Sequence, residues 1–104
     1  MIVSILSRHT AIADSAEWDK RATRLLDRLR PLLERQSGFA GIDLKRDDAG
    51  RLTETTRWQS WDDCQRYVRG GAAAMVATIA DALLPTAPYP NGGWQRESHE
   101  ESTP

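Results

Sequence analysis

Apolar residues along this chain switch between the period of a strand and the period of a helix, and the switches lay out the fold. Residues 2–9, IVSILSRH, are rich in β-branched side chains and predict a first strand. Ile2 and Leu6 stand on one parity, Val3 and Ile5 on the other, so both faces are expected to be covered. Asp14 predicts a helix N-cap, with Glu17 three residues on as in a capping box. Trp18, Ala22, Leu25, Leu29 and Leu33 follow at helical spacing, widened by Leu26 and Leu32. Lys20, Arg21, Arg24, Asp27, Arg28 and Arg35 fill the opposite, solvated face. Pro31 lacks a backbone donor, so a kink or an early end is expected there.

Ser37-Gly38 closes this helix, and Phe39–Arg46 predicts a second strand, with Ala40, Ile42 and Leu44 alternating against Gly41, Asp43 and Lys45. Asp47-Asp48-Ala49-Gly50 is a turn signal, and residues 51–59 complete a hairpin. In that third strand Leu52, Glu54, Thr56 and Trp58 share one face, while Thr53, Thr55, Arg57 and Gln59 share the other. A second helix is expected from Trp61 or Asp62, with Asp62 and Asp63 suited to its N-terminus. Cys64, Tyr67 and Val68 make its apolar stripe. Gly70-Gly71 breaks it, and a new helix is expected over residues 72–84, striped by Met75, Val76, Ile79, Ala82 and Leu83. Residues 85–93 predict an irregular connection that includes a turn at Asn91-Gly92-Gly93. A short last strand is expected over residues 94–97, then a polar, frayed end.

The order β-α-β-β-α-β is that of a ferredoxin-like plait, an α+β fold with a four-stranded antiparallel sheet and helices on one face. With neither face of the first strand fully polar, a homodimer built sheet against sheet is the economical solution. A chain of 104 residues is one domain, expected over residues 1–97 with a polar tail at 98–104. Its core is modest at this size, which also favours burial against a second copy.

The formal charge of −1 argues against a nucleic-acid or anionic-membrane partner. Cys64 is alone, so neither an intrachain disulfide nor a cysteine metal cluster is expected. His9 and His99 are far apart in sequence, and no metal site is expected. With no leader and no apolar run near membrane length, the expectation is a cytoplasmic protein.

Candidate chemistry concentrates in RWQSWDDCQRY, residues 57–67. Arg57 can stabilise a developing oxyanion, or can be a surface arginine paired with a carboxylate. Tyr67 can hydrogen-bond a substrate or relay a proton, or can simply pack. Trp58 reads first as core and Trp61 as pocket wall. His9, at the end of the first strand, is the one histidine placed to act as a base, or it can be an exposed strand-end histidine. Met75 and Ile79 read as core or as the apolar floor of a pocket. Cys64 has no base beside it and two acids near it, so it reads as a small core residue.

The element order, with SGFAGIDLKRD after the first helix and RWQSWDDCQRYV after the third strand, resembles the antibiotic biosynthesis monooxygenase family. Ser37-Gly38-Phe39 matches that family's start to the second strand, and Trp58-Gln59-Ser60 its link into the next helix. The resemblance spans about residues 1–97 and implies a dimeric α+β barrel. It also implies oxygenation of an aromatic polyketide by O₂ with no cofactor, in a pocket between sheet and helices. Trp61 and Tyr67 match the family's Trp and Tyr six positions apart, and Arg57 stands where such members carry asparagine. Haem-degrading relatives use a histidine on the last-but-one helix, and residues 72–84 contain none. The expected function is therefore oxidation of a planar phenol or anthrone in natural-product biosynthesis. Arg57, Tyr67 and His9 are the expected catalytic residues, and Trp61, Trp58, Met75 and Ile79 the substrate-binding ones. An isomerase or cyclase on the same scaffold, or a non-catalytic ligand-binding dimer, are the alternatives.

Overall fold

The computed structural model of the chain describes residues 1–88 and 93–101. The expected turn at Asn91-Gly92 and the end of the expected tail lie outside the described residues. Strand β1 (Ile2–His9) leads to helix α1 (Ser15–Glu34), then to the hairpin of β2 (Phe39–Arg46) and β3 (Arg51–Trp58). Helices α2 (Trp61–Arg69) and α3 (Gly71–Leu83) follow, and β4 (Gln95–Glu100) completes the sheet. The sheet order is β2-β3-β1-β4 with every pairing antiparallel, which is the ferredoxin-like plait. Beta strand β4 extends to Glu100, so His99 lies opposite Val3 in the sheet and not in a frayed end.

Local chemistry sets the helix boundaries. The Asp14 carboxylate accepts from the Glu17 backbone N–H at 3.2 Å and starts α1. Glu17 itself turns to Arg21 at 3.0 Å, so the capping box is only half formed. Helix α1 runs three residues past Pro31, to Glu34. Pro31 and Asp27 both lie on the exposed side, where water can serve the carbonyl that proline leaves free. Trp18, Ala22, Leu25, Leu29 and Leu33 are all buried, as their spacing predicts.

Two apolar stripes fall differently from the expectation. In β2 a bulge between Phe39 and Gly41 changes the parity, so Phe39 and Ile42 face the helices while Ala40 is exposed. In α3 the buried positions are Ala73, Val76 and Ala80, with Leu84 just beyond. Met75 is 53% exposed and Ala82 is exposed, against the predicted stripe. This helix is apolar nearly all round, so its sequence does not fix which side meets the core, and the small alanines make the close approach.

Pairing register defines the two faces of the sheet. Ile2, Ser4, Leu6 and Arg8 stand opposite Trp58, Thr56, Glu54 and Leu52, and all eight are buried on the helix side. Val3, Ile5, Ser7 and His9 alternate with them on the open side, opposite Arg57, Thr55, Thr53 and Arg51.

Candidate functional site

Helix α2 is positioned at its N-terminus by a small polar knot. The Ser60 hydroxyl caps the helix, accepting from the Asp63 N–H at 3.1 Å and donating to the Asp63 carboxylate at 2.8 Å. Ser37 donates to the same carboxylate at 3.0 Å, and the Gln59 N–H donates to the Gly38 carbonyl at 2.8 Å. These bonds tie the start of β2 to the start of α2. They orient the helix so that Cys64 and Tyr67 point at the sheet, where both are buried.

Tyr67 stacks on Trp58 with ring centroids 4.5 Å apart, and Phe39 meets Trp58 edge-on at 5.7 Å. Trp58 is fully buried, and its indole N–H donates to Thr56 at 2.9 Å. Its place is in the core, as the sequence suggests.

Beyond the Tyr67 ring lies a cluster of buried and half-buried ionisable groups. Arg96 on β4, Leu6 on β1, Glu54 on β3 and Leu44 on β2 form one row across the helix side. The Arg96 guanidinium donates to the Ser4 hydroxyl at 2.7 Å and sits 5.9 Å from the Tyr67 ring centre. Arg8, one step along β1, donates to the Leu84 carbonyl and more weakly to Thr86 at 3.4 Å. Its guanidinium lies 4.8 Å over the Trp94 ring. Among the described residues several polar atoms here have no hydrogen-bond partner: Nε and Nη2 of Arg8, Oε2 of Glu54 and the Tyr67 hydroxyl. Native interiors rarely tolerate such groups, so a cluster of them marks a place where a ligand or water belongs.

Burial shapes the acidities. It raises the Glu54 carboxyl above its ordinary value, against the opposing pull of Arg96 and Arg8. It also pushes the Tyr67 hydroxyl well up, helped by the Glu54 charge and opposed by Arg96, so this phenol stays protonated. The Arg8 guanidinium is drawn down by burial, while Asp81 and Glu54 favour its charge.

A cleft of about 480 Å³ opens between the α2–α3 corner and strands β1 and β4. Leu6, Val68, Ala73, Ala77 and Trp94 give it apolar walls, and Arg69 and Arg96 supply charge. A neighbouring cleft of about 550 Å³ shares Ala77 and Trp94 and continues past Asp81 and Thr86. Both volumes suit a small planar ligand.

Of the residues singled out from sequence, Tyr67 and Trp58 lie at this cluster. Arg57 projects from the open face, where it pairs with Asp43 at 2.6 Å and Glu101 at 4.0 Å. His9 shares that open parity at the far end of β1. Trp61 is 44% exposed at the first turn of α2, and Met75 points to solvent. Ile79 is half-buried against the core. Sequence reading passed over Arg8, Glu54 and Arg96. The available signal was parity, because Glu54 alternates in phase with Leu52 and Trp58, and Arg8 with Ile2 and Leu6. A charged residue in phase with core residues is either a site or an error of register.

No family model matches the chain, and no curated protein matches it. Solved structures do. A monooxygenase from the gene ActVA-Orf6 of Streptomyces coelicolor, in complex with nanaomycin D, superposes with a TM-score of 0.67 at 15% identity. That match covers 99% of this chain and 88% of the other. SnoaB, a cofactor-independent oxygenase from Streptomyces nogalater, gives 0.61 at 18% identity, covering 99% and 95%. The heme-degrader MhuD from Mycobacterium tuberculosis, with two hemes bound, gives 0.63 at 22% identity, covering 100% and 98%. The chain thus has the fold of the antibiotic biosynthesis monooxygenases.

Proposed function

We propose that this protein is a small oxygenase that oxidises a planar phenol or anthrone with O₂, in the cleft between α2, α3 and the β1–β4 edge, without a metal or flavin. The observation that carries the reading is the buried cluster of Arg8, Glu54 and Tyr67, with polar atoms unpaired among the described residues, beside half-buried Arg96 in the lining of an apolar cleft. Fold likeness to a cofactor-independent oxygenase supports the same class of chemistry. Neither histidine serves the cleft: Arg57 and His99 flank Val3 on the open face, His9 shares that face, and α3 has no histidine. An iron-bound haem would therefore find no imidazole on the helix side, which favours the oxygenase reading over haem breakdown.

In the proposed reaction Glu54 takes the phenolic proton, its basicity raised by burial. Arg96, backed by Arg8, holds the resulting anion, whose charge is worth more to the site away from bulk water. The Tyr67 hydroxyl, kept protonated, donates a hydrogen bond to the substrate oxygen. The electron-rich carbon then bonds to O₂, and the hydroperoxide so formed loses water. In sum a CH₂ and O₂ become C=O and H₂O, with the Glu54 proton returned to the departing oxygen. Arg57 and His9 take no part in this step. Half-buried Ile5 on the open face, beside the Arg57–Asp43 pair, is where we place a second copy of the chain.

Metal-stripped protein incubated in air with a panel of naphthols and anthrones should consume O₂ and yield quinones. Glu54→Gln should slow this by about 10²-fold, the usual worth of a positioned base. Absence of O₂ uptake across the panel would sink the reading, and turnover under argon would favour an isomerase or cyclase instead.

A further inference from the structure

We infer that the substrate carries a carboxylate, and that Arg69 at the mouth of the cleft reads it; this rests on the aromatic site proposed above. Two arginines, Arg69 and Arg96, line the cleft, and among the described residues no acidic one does. Arg96 is balanced from below by Glu54, on the same row of the sheet. Arg69 has no such counterpart: among the described residues no carboxylate lies within 4.0 Å of it. Its neighbour in the last turn of α2 behaves differently, since Arg66 pairs with Asp63 at 3.6 Å.

Arg69, always charged and with no ion-pair partner among the described residues, thus lines the cleft together with the apolar Val68, Ala73 and Trp94. A neutral phenol would use the walls and the floor and leave Arg69 idle. A flat ring with a phenolic oxygen at one end and a carboxylate at the other would use all three. The phenol would meet Glu54, Tyr67 and Arg96 in the interior, and the carboxylate would take a paired N–H···O contact from Arg69 at the rim. The competing account is that Arg69 only complements the C-terminal end of α2. That account predicts an effect on stability and none on ligand choice.

Two ligands of one shape separate these accounts: 6-hydroxy-2-naphthoate and its uncharged carboxamide. Their binding to the wild-type protein and to Arg69→Gln is measured by isothermal titration calorimetry at low and moderate salt. The wild type should bind the carboxylate about tenfold more tightly than the amide, with the gap shrinking as salt rises. Arg69→Gln should bind both within about twofold of each other and keep the wild-type affinity for the amide. Equal binding of acid and amide to the wild type would overturn the inference while leaving the aromatic site standing. A preference that survives in Arg69→Gln would overturn the assignment of Arg69. Failure of both ligands to bind the wild type at millimolar concentration would overturn the aromatic site itself. Arg69 is exposed, so the variant is expected to fold.

Discussion

Replacing Gly38 by alanine should loosen the junction that aims α2 at the cleft. Gly38 has φ of +76°, in the left-handed region, and a Cβ added there would collide with the Asp63 side chain. That backbone conformation costs a residue with a Cβ about 1–2 kcal/mol. To make room, the Asp63 carboxylate must leave the Ser37 and Ser60 hydroxyls, now at 3.0 and 2.8 Å. A hydrogen bond of this kind contributes about 0.5–1.5 kcal/mol net, and these two are exposed, so the low half of the range applies. The total is ~2–4 kcal/mol, or a fall in Tm of about 8–16 °C for a domain of this size. Calorimetry and urea unfolding of Gly38→Ala measure it. Gly71→Ala is the matched control, since a Cβ there meets nothing within 4 Å and the residue lies in a helix. In an Asp63→Gly background, which also removes the Asp63 Cβ that lies 2.6 Å from the added one, the cost of Gly38→Ala should drop to the backbone part alone, about 1–2 kcal/mol. A loss under ~0.5 kcal/mol would refute the backbone argument, and an equal loss in both backgrounds would refute the role given to Asp63.

Other consequences follow from the buried cluster and its aromatic floor. Burial holds the Glu54 carboxyl above its ordinary 4.5, so the folded state keeps that proton more tightly than the unfolded chain. The Glu54 contribution to stability is therefore present below pH 4.5 and lost as pH rises through the folded value. Urea unfolding across pH 4–8 should show wild type losing stability relative to Glu54→Gln as pH rises, and the opposite trend would refute it. Tyr67→Phe removes a buried hydroxyl that has no partner, so it should leave stability unchanged or slightly raised while slowing O₂ uptake at least tenfold. Trp58→Ala should cost ~3–5 kcal/mol, because it empties a fully buried stack. Trp61→Ala, at a residue 44% exposed, should stay within about 0.5 kcal/mol of wild type, and both are read from urea midpoints.

Periodicity alone carried the plait. The β-branched run of residues 2–9, the alternation in residues 51–58, the stripe from Trp18 to Leu33 and the punctuation at Gly38, Gly50 and Gly70 each act over a few residues, and each marked its element. Where the local signal was degenerate, the tertiary structure decided. Helix α3 is apolar nearly all round, so its packing chose Ala73, Val76 and Ala80 as the inner face and sent Met75 to solvent. The bulge at Phe39 arose because Phe39 had to reach Trp58 and Ile42 had to face the same way. Sequence reading favoured RWQSWDDCQRY for its density of aromatic and polar tips, but strand parity sends Arg57 and Trp58 to opposite faces. Cross-strand register then assembled Arg8, Glu54 and Arg96 from three distant segments of the chain. Arg8 and Glu54 were each in phase with core positions in their own strands, and Arg96 is the one half-buried residue of β4. Their meeting depends on which strands lie side by side, and no window of sequence contains that information.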